Sequence, residues 1–233
     1  MHDAHAGFVR LIHREVSRRS LFKGVVATAG GVALASSAFS FVGPAFQSGV
    51  AYAQAQPFAN DLDVLNYALT LEHLEANLYN TIVATGIIKN PTYVKYVTMF
   101  KDHENTHAQT LVKAIGDAGG KPVAAKEKYN YSAFDISTEV KAMTVLAAVE
   151  EVGVGAYQGA AGFIKDKGIL TIAVAIHGVE AEHTGSLHSL LGLPITSNSL
   201  ASAAGVGIKV LNGAFTQPIP VADVLKAVGP IIG

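Results

Sequence analysis

The 233-residue sequence contains no cysteine and no tryptophan, and no arginine after Arg19. The missing cysteine removes disulfides as staples, and with them any thiolate metal site such as a Cys-x-x-Cys iron centre. The missing arginine has a sharper consequence. A carboxylate buried anywhere beyond position 19 has no guanidinium to pair with, so lysine, histidine or a bound cation must neutralise it. Charge is also sparse, at 15% of residues with a formal net of −1. A chain without a basic surplus is not expected to bind nucleic acid or acidic membranes. Half of the residues are hydrophobic, enough for one substantial core.

The arginines that do occur, Arg10, Arg14, Arg18 and Arg19, all fall in the first nineteen residues. "SRRSLFKG" (17–24) is a twin arginine followed by apolar residues and a lysine. A moderately apolar Ala/Gly/Ser-rich run follows, and "AYAQA" offers small residues for signal-peptidase cleavage after Ala53 or Ala55. This layout predicts an export signal of the twin-arginine type over 1–55, delivering a periplasmic or extracellular protein. The competing reading is an uncleaved membrane anchor, against which the Gly, Ser and Thr content of the run argues. Cleavage after Ala53 would leave twelve basic and sixteen acidic residues, and no stable membrane span.

From Asn60 the hydrophobic period becomes helical. Four long helices are predicted. The first runs from Asn60 or Asp61 to near Gly86, and the second from about Thr92 to Ala118. The third runs from near Ser137 to about Lys165, and the fourth from about Ile169 to Leu191. Short turns separate the first from the second and the third from the fourth. Between the second and third lies a long aperiodic connection, "GGKPVAAKEKYNYSAFDIS". That pattern predicts an all-α four-helix bundle over 56–192, built from two antiparallel hairpins with one long crossover. The remainder, 193–233, is expected to be an irregular extension with one or two short helices such as Val221 to Val228.

The inward stripe of each helix, read at alternating steps of three and four, carries a glutamate in its middle. Helix 1 reads Leu65, Leu69, Glu72, Ala76, Tyr79. Helix 2 reads Val97, Phe100, Glu104, His107, Leu111. Helix 3 reads Met143, Leu146, Glu150, Gly153, Tyr157. Helix 4 reads Ile172, Ile176, Glu180, His183, Leu187. An isolated ionised carboxylate in a core costs several kcal/mol, on the order of the penalty for any buried unpaired ion, and four together also repel. No lysine falls on these stripes. Two divalent metal ions would supply the missing +4. Residues three apart on a helix share a side, so each Glu-x-x-His, Glu104/His107 and Glu180/His183, can present a carboxylate and an imidazole to one metal. Carboxylate and imidazole donors without thiolate suit iron or manganese. An internal repeat reinforces the pattern: Glu72 to Tyr79 and Glu150 to Tyr157 are both seven residues, and the helix pairs match within two residues.

The stretches "LNYALTLEHLEANLY", "ENTHAQTL", "VEEVGVGAYQGAA" and "GVEAEHTGSLHSLLG" resemble the ferritin-like superfamily. They are most similar to its exported bacterial members grouped with desiccation- and stress-related proteins. The resemblance implies a di-iron or di-manganese centre that handles dioxygen, hydrogen peroxide or Fe(II), by ferroxidase-, peroxidase- or catalase-type chemistry. It implies Glu72 and Glu150 as terminal ligands, Glu104 and Glu180 as bridges, and His107 and His183 as imidazole ligands. A metal-stabilised protective protein without enzymatic activity is the alternative, and a homo-oligomer is compatible with either. Tyr79 and Tyr157 are placed to hydrogen-bond the glutamate of the facing half, Glu150 and Glu72, or else simply to pack in the core. Glu75 is expected to be solvated or to support the ligands from one helix face away, rather than to be a seventh ligand. Glu151 competes with Glu150, and the spacing to Tyr157 favours Glu150. His103 and His177 read as partly buried residues near the site, with ligation as the minority reading. His73 is expected to point elsewhere, and His188 to be structural.

Overall fold

The computed structural model describes residues 57–195, 211–212 and 215–233. The expected export leader lies outside the described residues. Among the described residues no helix is long and apolar enough to cross a membrane.

Helix α1 spans Asp61–Thr85. The Asn60 side chain accepts hydrogen bonds from the Leu62 and Asp63 amides at 2.8 and 3.2 Å, and Asp61 and Asp63 favour the positive end of the helix dipole. Gly86 ends the helix in the left-handed region at φ 61°, where a side chain would be strained. Helix α2, Pro91–Asp117, starts with the Asn90 side chain accepting from the Thr92 amide at 2.9 Å and with proline in its first turn. Gly119, at φ 77°, then lets the Gly120 amide return to the Ile115 carbonyl at 2.8 Å. Helix α3, Glu139–Ala161, is capped by Thr138. Helix α4, Lys167–Leu190, is capped by Asp166, which accepts from the Ile169 amide at 2.9 Å.

Helix α1 packs along α2, and α3 along α4, with α1 meeting α3 and α2 meeting α4 across the bundle. This is the expected all-α architecture. The Glu139 carboxylate accepts from the Lys89 and Asn90 amides, so the start of α3 fastens the turn between the first two helices. The long connection crosses the bundle along α1. Asn66 holds the Lys121 carbonyl and the Val123 amide, His73 contacts the Val123 carbonyl, and the Tyr131 hydroxyl donates to Asn77 Oδ1 at 2.9 Å. His73 therefore points away from the bundle centre, as expected.

Two boundaries differ from the sequence reading. Helix α3 stops at Ala161 instead of near Lys165, because Gly162 and the following turn lead directly to the Asp166 cap. In the described part of the C-terminal extension, the expected short helix is longer than Val221 to Val228. The extension contains a short antiparallel pairing of β1 (Leu211–Asn212) with β2 (Phe215–Thr216), and a helix α5, Val221–Ile232, that continues four residues past Val228. The reason is packing. Val221, Val224, Val228 and Ile231 form one apolar stripe buried in the main core, and Ile231 rewards continuation through Gly229-Pro230.

The extension reaches α3 through a glycine groove. The Ile219 amide donates to the Gly155 carbonyl at 2.9 Å. A Cβ at Gly159 would stand 1.9 Å from the Ile219 carbonyl oxygen, a backbone atom that cannot rotate away. Gly159→Ala is therefore expected to lower stability by ~2–3 kcal/mol, the cost of overpacking. Gly178→Ala, on an exposed face of α4 with nothing within 4 Å, is expected to raise it by ~0.5–1 kcal/mol. Urea unfolding of the two variants checks both signs.

Candidate metal centre

The apolar stripes of α1 to α4 meet at the middle of the bundle and carry their glutamates with them. Glu72, Glu104, Glu150 and Glu180 are all fully buried, and His183 and His107 are nearly so. Their donor atoms form two overlapping groups, in each of which the atoms lie within 4.8 Å of one another. One group is Glu72, Glu104, His107 and Glu180; the other is Glu104, Glu150, Glu180 and His183. Glu104 and Glu180 belong to both. All six sequence-derived metal candidates thus come together, with one helix pair's Glu-x-x-His facing the other's.

Both imidazoles turn Nδ1 inward. His107 Nδ1 lies 3.3 Å from Glu104, 3.0 Å from Glu180 and 3.4 Å from Glu72. His183 Nδ1 lies 2.9 Å from Glu104 and 3.2 Å from Glu150. The outer nitrogen of His183, Nε2, is 2.9 Å from His103 Nδ1, and the Phe100 ring packs 4.1 Å from the His183 ring. When Nδ1 serves as a ligand, Nε2 carries the proton and donates to His103, which fixes the tautomer and the ring plane. His103 is placed by this contact beside the centre, outside both donor groups. His177 stands farther along α4, with a buried Nε2 that has no hydrogen-bond partner, outside both groups as well.

The tyrosines cross between halves. Tyr157 donates to Glu72 Oε1 at 2.6 Å, and Tyr79 donates to Glu150 Oε1. Each hydroxyl occupies one oxygen of a glutamate and leaves the other facing the centre. The repeat in the sequence therefore becomes a pseudo-two-fold pair of contacts.

The electrostatics show what the cluster is short of. Among the described residues the lysine ion pairs are with surface aspartates, Asp102, Asp117 and Asp135. Burial pushes the Glu72 carboxyl up to about 7, against the opposing hydrogen bond from His107. Burial and the neighbouring glutamates raise Glu180 well above the carboxylate range. Glu104 is the exception: burial works upward, but hydrogen bonds from His107 and His183 hold it down at about 2. The same contacts overcome burial on the histidines and lift His107 to about 10 and His183 to about 9. Protons thus take the place of positive charge. They do so incompletely: Glu180 Oε2 is buried without a hydrogen bond, and Glu72 Oε2, Glu104 Oε1 and Glu180 Oε1 share the two imidazole Nδ1 atoms among them. Carboxylate oxygens converging on two imidazole Nδ1 atoms are a donor set that two divalent cations fit.

Two other acids behave differently from each other. Glu75, expected to be solvated or to support the ligands from one helix face away, is not solvated: it is 3% exposed, lies outside both donor groups, and its Oε2 has no hydrogen-bond partner. Helix α1 is covered on that flank by α3 and the C-terminal segments, so the face one step round from Glu72 is also interior. Burial, then the charges of Glu72 and Glu104, raise its carboxyl well above the usual range. Glu151 is fully buried too, but it turns to the opposite side and meets His188 Nε2 at 2.7 Å, while His188 Nδ1 lies 3.0 Å from the Pro194 carbonyl. The helical phase that favoured Glu150 is the observed one. The Glu151–His188 pair was not foreseen, although asking every buried acid for its cation would have found it.

A protein-family model described as Ferritin-like domain matches residues 60–193. Among solved structures, the crystal structure of a conserved hypothetical protein from Mycobacterium tuberculosis is similar, with 17% identity and a TM-score of 0.50 over 56% of this chain and 96% of that chain. At that identity the likeness concerns the fold alone. No curated protein matches.

Two outcomes are expected. Tyr157→Phe should retain the fold and weaken metal binding roughly 10–100-fold, as loss of a ligand-orienting contact does, read by competition with a chelator. His188→Ala should remove the imidazole that meets Glu151 and the Pro194 carbonyl and cost ~1–3 kcal/mol in urea unfolding, with metal content per folded chain unchanged.

Proposed function

The chain belongs to the ferritin-like domain family, and from that premise we propose that it is an exported two-metal carboxylate protein acting on dioxygen, hydrogen peroxide or Fe(II). The observation that carries the reading is the sharing of Glu104 and Glu180 by two four-residue donor groups. A shared carboxylate is what places two cations side by side, and a side-by-side pair is suited to a two-atom oxygen species. Iron or manganese would be held by Glu72, His107 and the two bridges on one side, and by Glu150, His183 and the same bridges on the other. When bound, such a pair supplies Lewis acidity and electrons to an oxygen substrate.

The residues of the chain set the conditions for that chemistry. Tyr157 and Tyr79 hold the terminal glutamates by one oxygen each, leaving the second turned to the centre, where it could hold a metal. His103 holds His183 in the tautomer that leaves Nδ1 available. The apolar collar of Leu65, Leu69, Leu111 and Ile115 on one side, and Phe100, Leu146 and Leu187 on the other, excludes water and strengthens every charge interaction inside. With iron this favours ferroxidase or peroxidase activity; with manganese it favours disproportionation of peroxide. Protection against oxidative or desiccation stress outside the cytoplasm is the physiological role we infer.

A second reading draws on the depth of the site. All four glutamates are inaccessible, and each comes from a different helix, so cations would tie the bundle together and lend their binding energy to folding. In that case chelation lowers thermal stability and no turnover exists.

Elemental analysis of the protein from its native host, with assays of Fe(II) oxidation and peroxide consumption, separates these readings. We expect two metals per chain and turnover above that of free metal. Glu104→Ala and Glu180→Ala should each abolish binding at both positions, because the ligand is shared. Two metals retained in either variant would remove the bridging assignment.

A further inference from the structure

A small cavity adjoins the carboxylate cluster. Its volume is about 30 Å³, and its walls are Leu71 and Leu74 of α1, Val149 and Val152 of α3, and Val228 and Ile231 of α5. Phe134 of the crossover and Ala227 of α5, both half-buried, stand at its outer side. The polar side chain in its lining is Glu75, whose Oε2 is buried and unpartnered. At the inner end lies Gly153. A Cβ there would stand 2.9 Å from Glu75 Oε1 and 3.1 Å from Glu180 Oε2. The missing side chain of Gly153 therefore lets the carboxylates of Glu75 and Glu180 approach each other at the end of the cavity.

The chemistry of the walls selects the occupant. An ordered water needs two to four polar partners, and a hollow lined by aliphatic side chains stays dry and takes up apolar atoms such as xenon. Here the lining offers one polar side chain, the Glu75 carboxyl. Hydrogen peroxide, with two donors and four lone pairs, would be under-satisfied in the same way and would lose its hydration on entry. Dioxygen asks for no hydrogen bond and fits a space of this size. We propose that this cavity is a dioxygen-binding antechamber of the centre, separated from Glu180 by the Glu75 carboxyl at Gly153 and roofed by the C-terminal helix. The inference names the oxidant, and its link to turnover rests on the two-metal reading above. It also gives α5 a purpose: two of the cavity's walls come from a segment that supplies none of the candidate ligands.

Xenon-pressurised crystals of the metal-free protein test the cavity apart from any metal chemistry. Wild type should hold a xenon atom between Val152 and Val228, and Val228→Phe should lose it. Ala227→Leu is a second, milder filling, should the phenylalanine destabilise α5, and Val228→Ala should increase occupancy. With the protein loaded with Fe(II), the filled variants should bind the same metal content and raise the apparent KM for dioxygen severalfold, while the rate with hydrogen peroxide stays the same. Wild-type crystals without xenon at this position would overturn the inference, as would an unchanged KM for dioxygen in a variant shown to be filled. Failure of the two-metal reading registers separately, as missing metal in wild type, and leaves the xenon result to decide whether the cavity takes an apolar diatomic.

Discussion

A cluster of carboxylates placed in an apolar interior is the constraint on which this structure turns. Four glutamates, one from each helix, meet where leucine and phenylalanine would otherwise close the core. Their mutual repulsion and loss of hydration oppose folding unless positive charge enters. The chain offers no arginine to the bundle, and its lysine pairs among the described residues are spent on surface aspartates. Among the described residues, His107 and His183 are the cationic groups that meet the four. Their raised affinity for protons, and the opposite shifts of Glu104 and Glu180, express one shortage of positive charge distributed over several groups. Divalent cations relieve that shortage more completely than protons, because they satisfy the unpartnered Glu180 Oε2 as well as the charge.

The surrounding structure keeps the cluster where it is. Crossed tyrosines fix one oxygen of each terminal glutamate, and His103 fixes the outer nitrogen of His183. Such contacts are inexpensive for the fold, since the tyrosine rings fill core volume in any case. Their placement is mechanical as well as chemical: a contact from α1 to α3 at Tyr79, and its counterpart at Tyr157, joins the two hairpins at the level of the site. The bundle is thus held across its middle by the same groups that orient the candidate ligands.

Glu75 and Glu151 show two ways of burying an acid. Glu151 has a histidine from α4 at hydrogen-bond distance and serves to pin α3 to α4 and to the Pro194 loop. Glu75 has no such partner for its Oε2 and faces a dry cavity. Burial and the neighbouring glutamates favour its neutral form there. The glycines of α3 divide the same way. Gly155 and Gly159 make room for the backbone of the C-terminal extension, whereas Gly153 makes room for two carboxylates. A single helix therefore faces the candidate centre and the extension at once, which makes α5 part of the site's enclosure.

The four helices, the cap at Asn60, the crossover, and the six candidate ligands were legible in the sequence, because helical periodicity is local and a charged residue interrupting an apolar stripe stands out within it. The same locality set the limits. Whether Glu75 was solvated or supported the ligands stayed open because a helical wheel knows only its own helix, while burial on that flank comes from α3 and the C-terminal segments. The Glu151–His188 pair, the passage of Ile219 over Gly155 and Gly159, and the continuation of α5 past Pro230 all depend on partners dozens of residues away. The linear order of residues determined which side chains share a face; only packing of the elements decided which of those faces are interior, since burial belongs to the space between helices and to no single one of them.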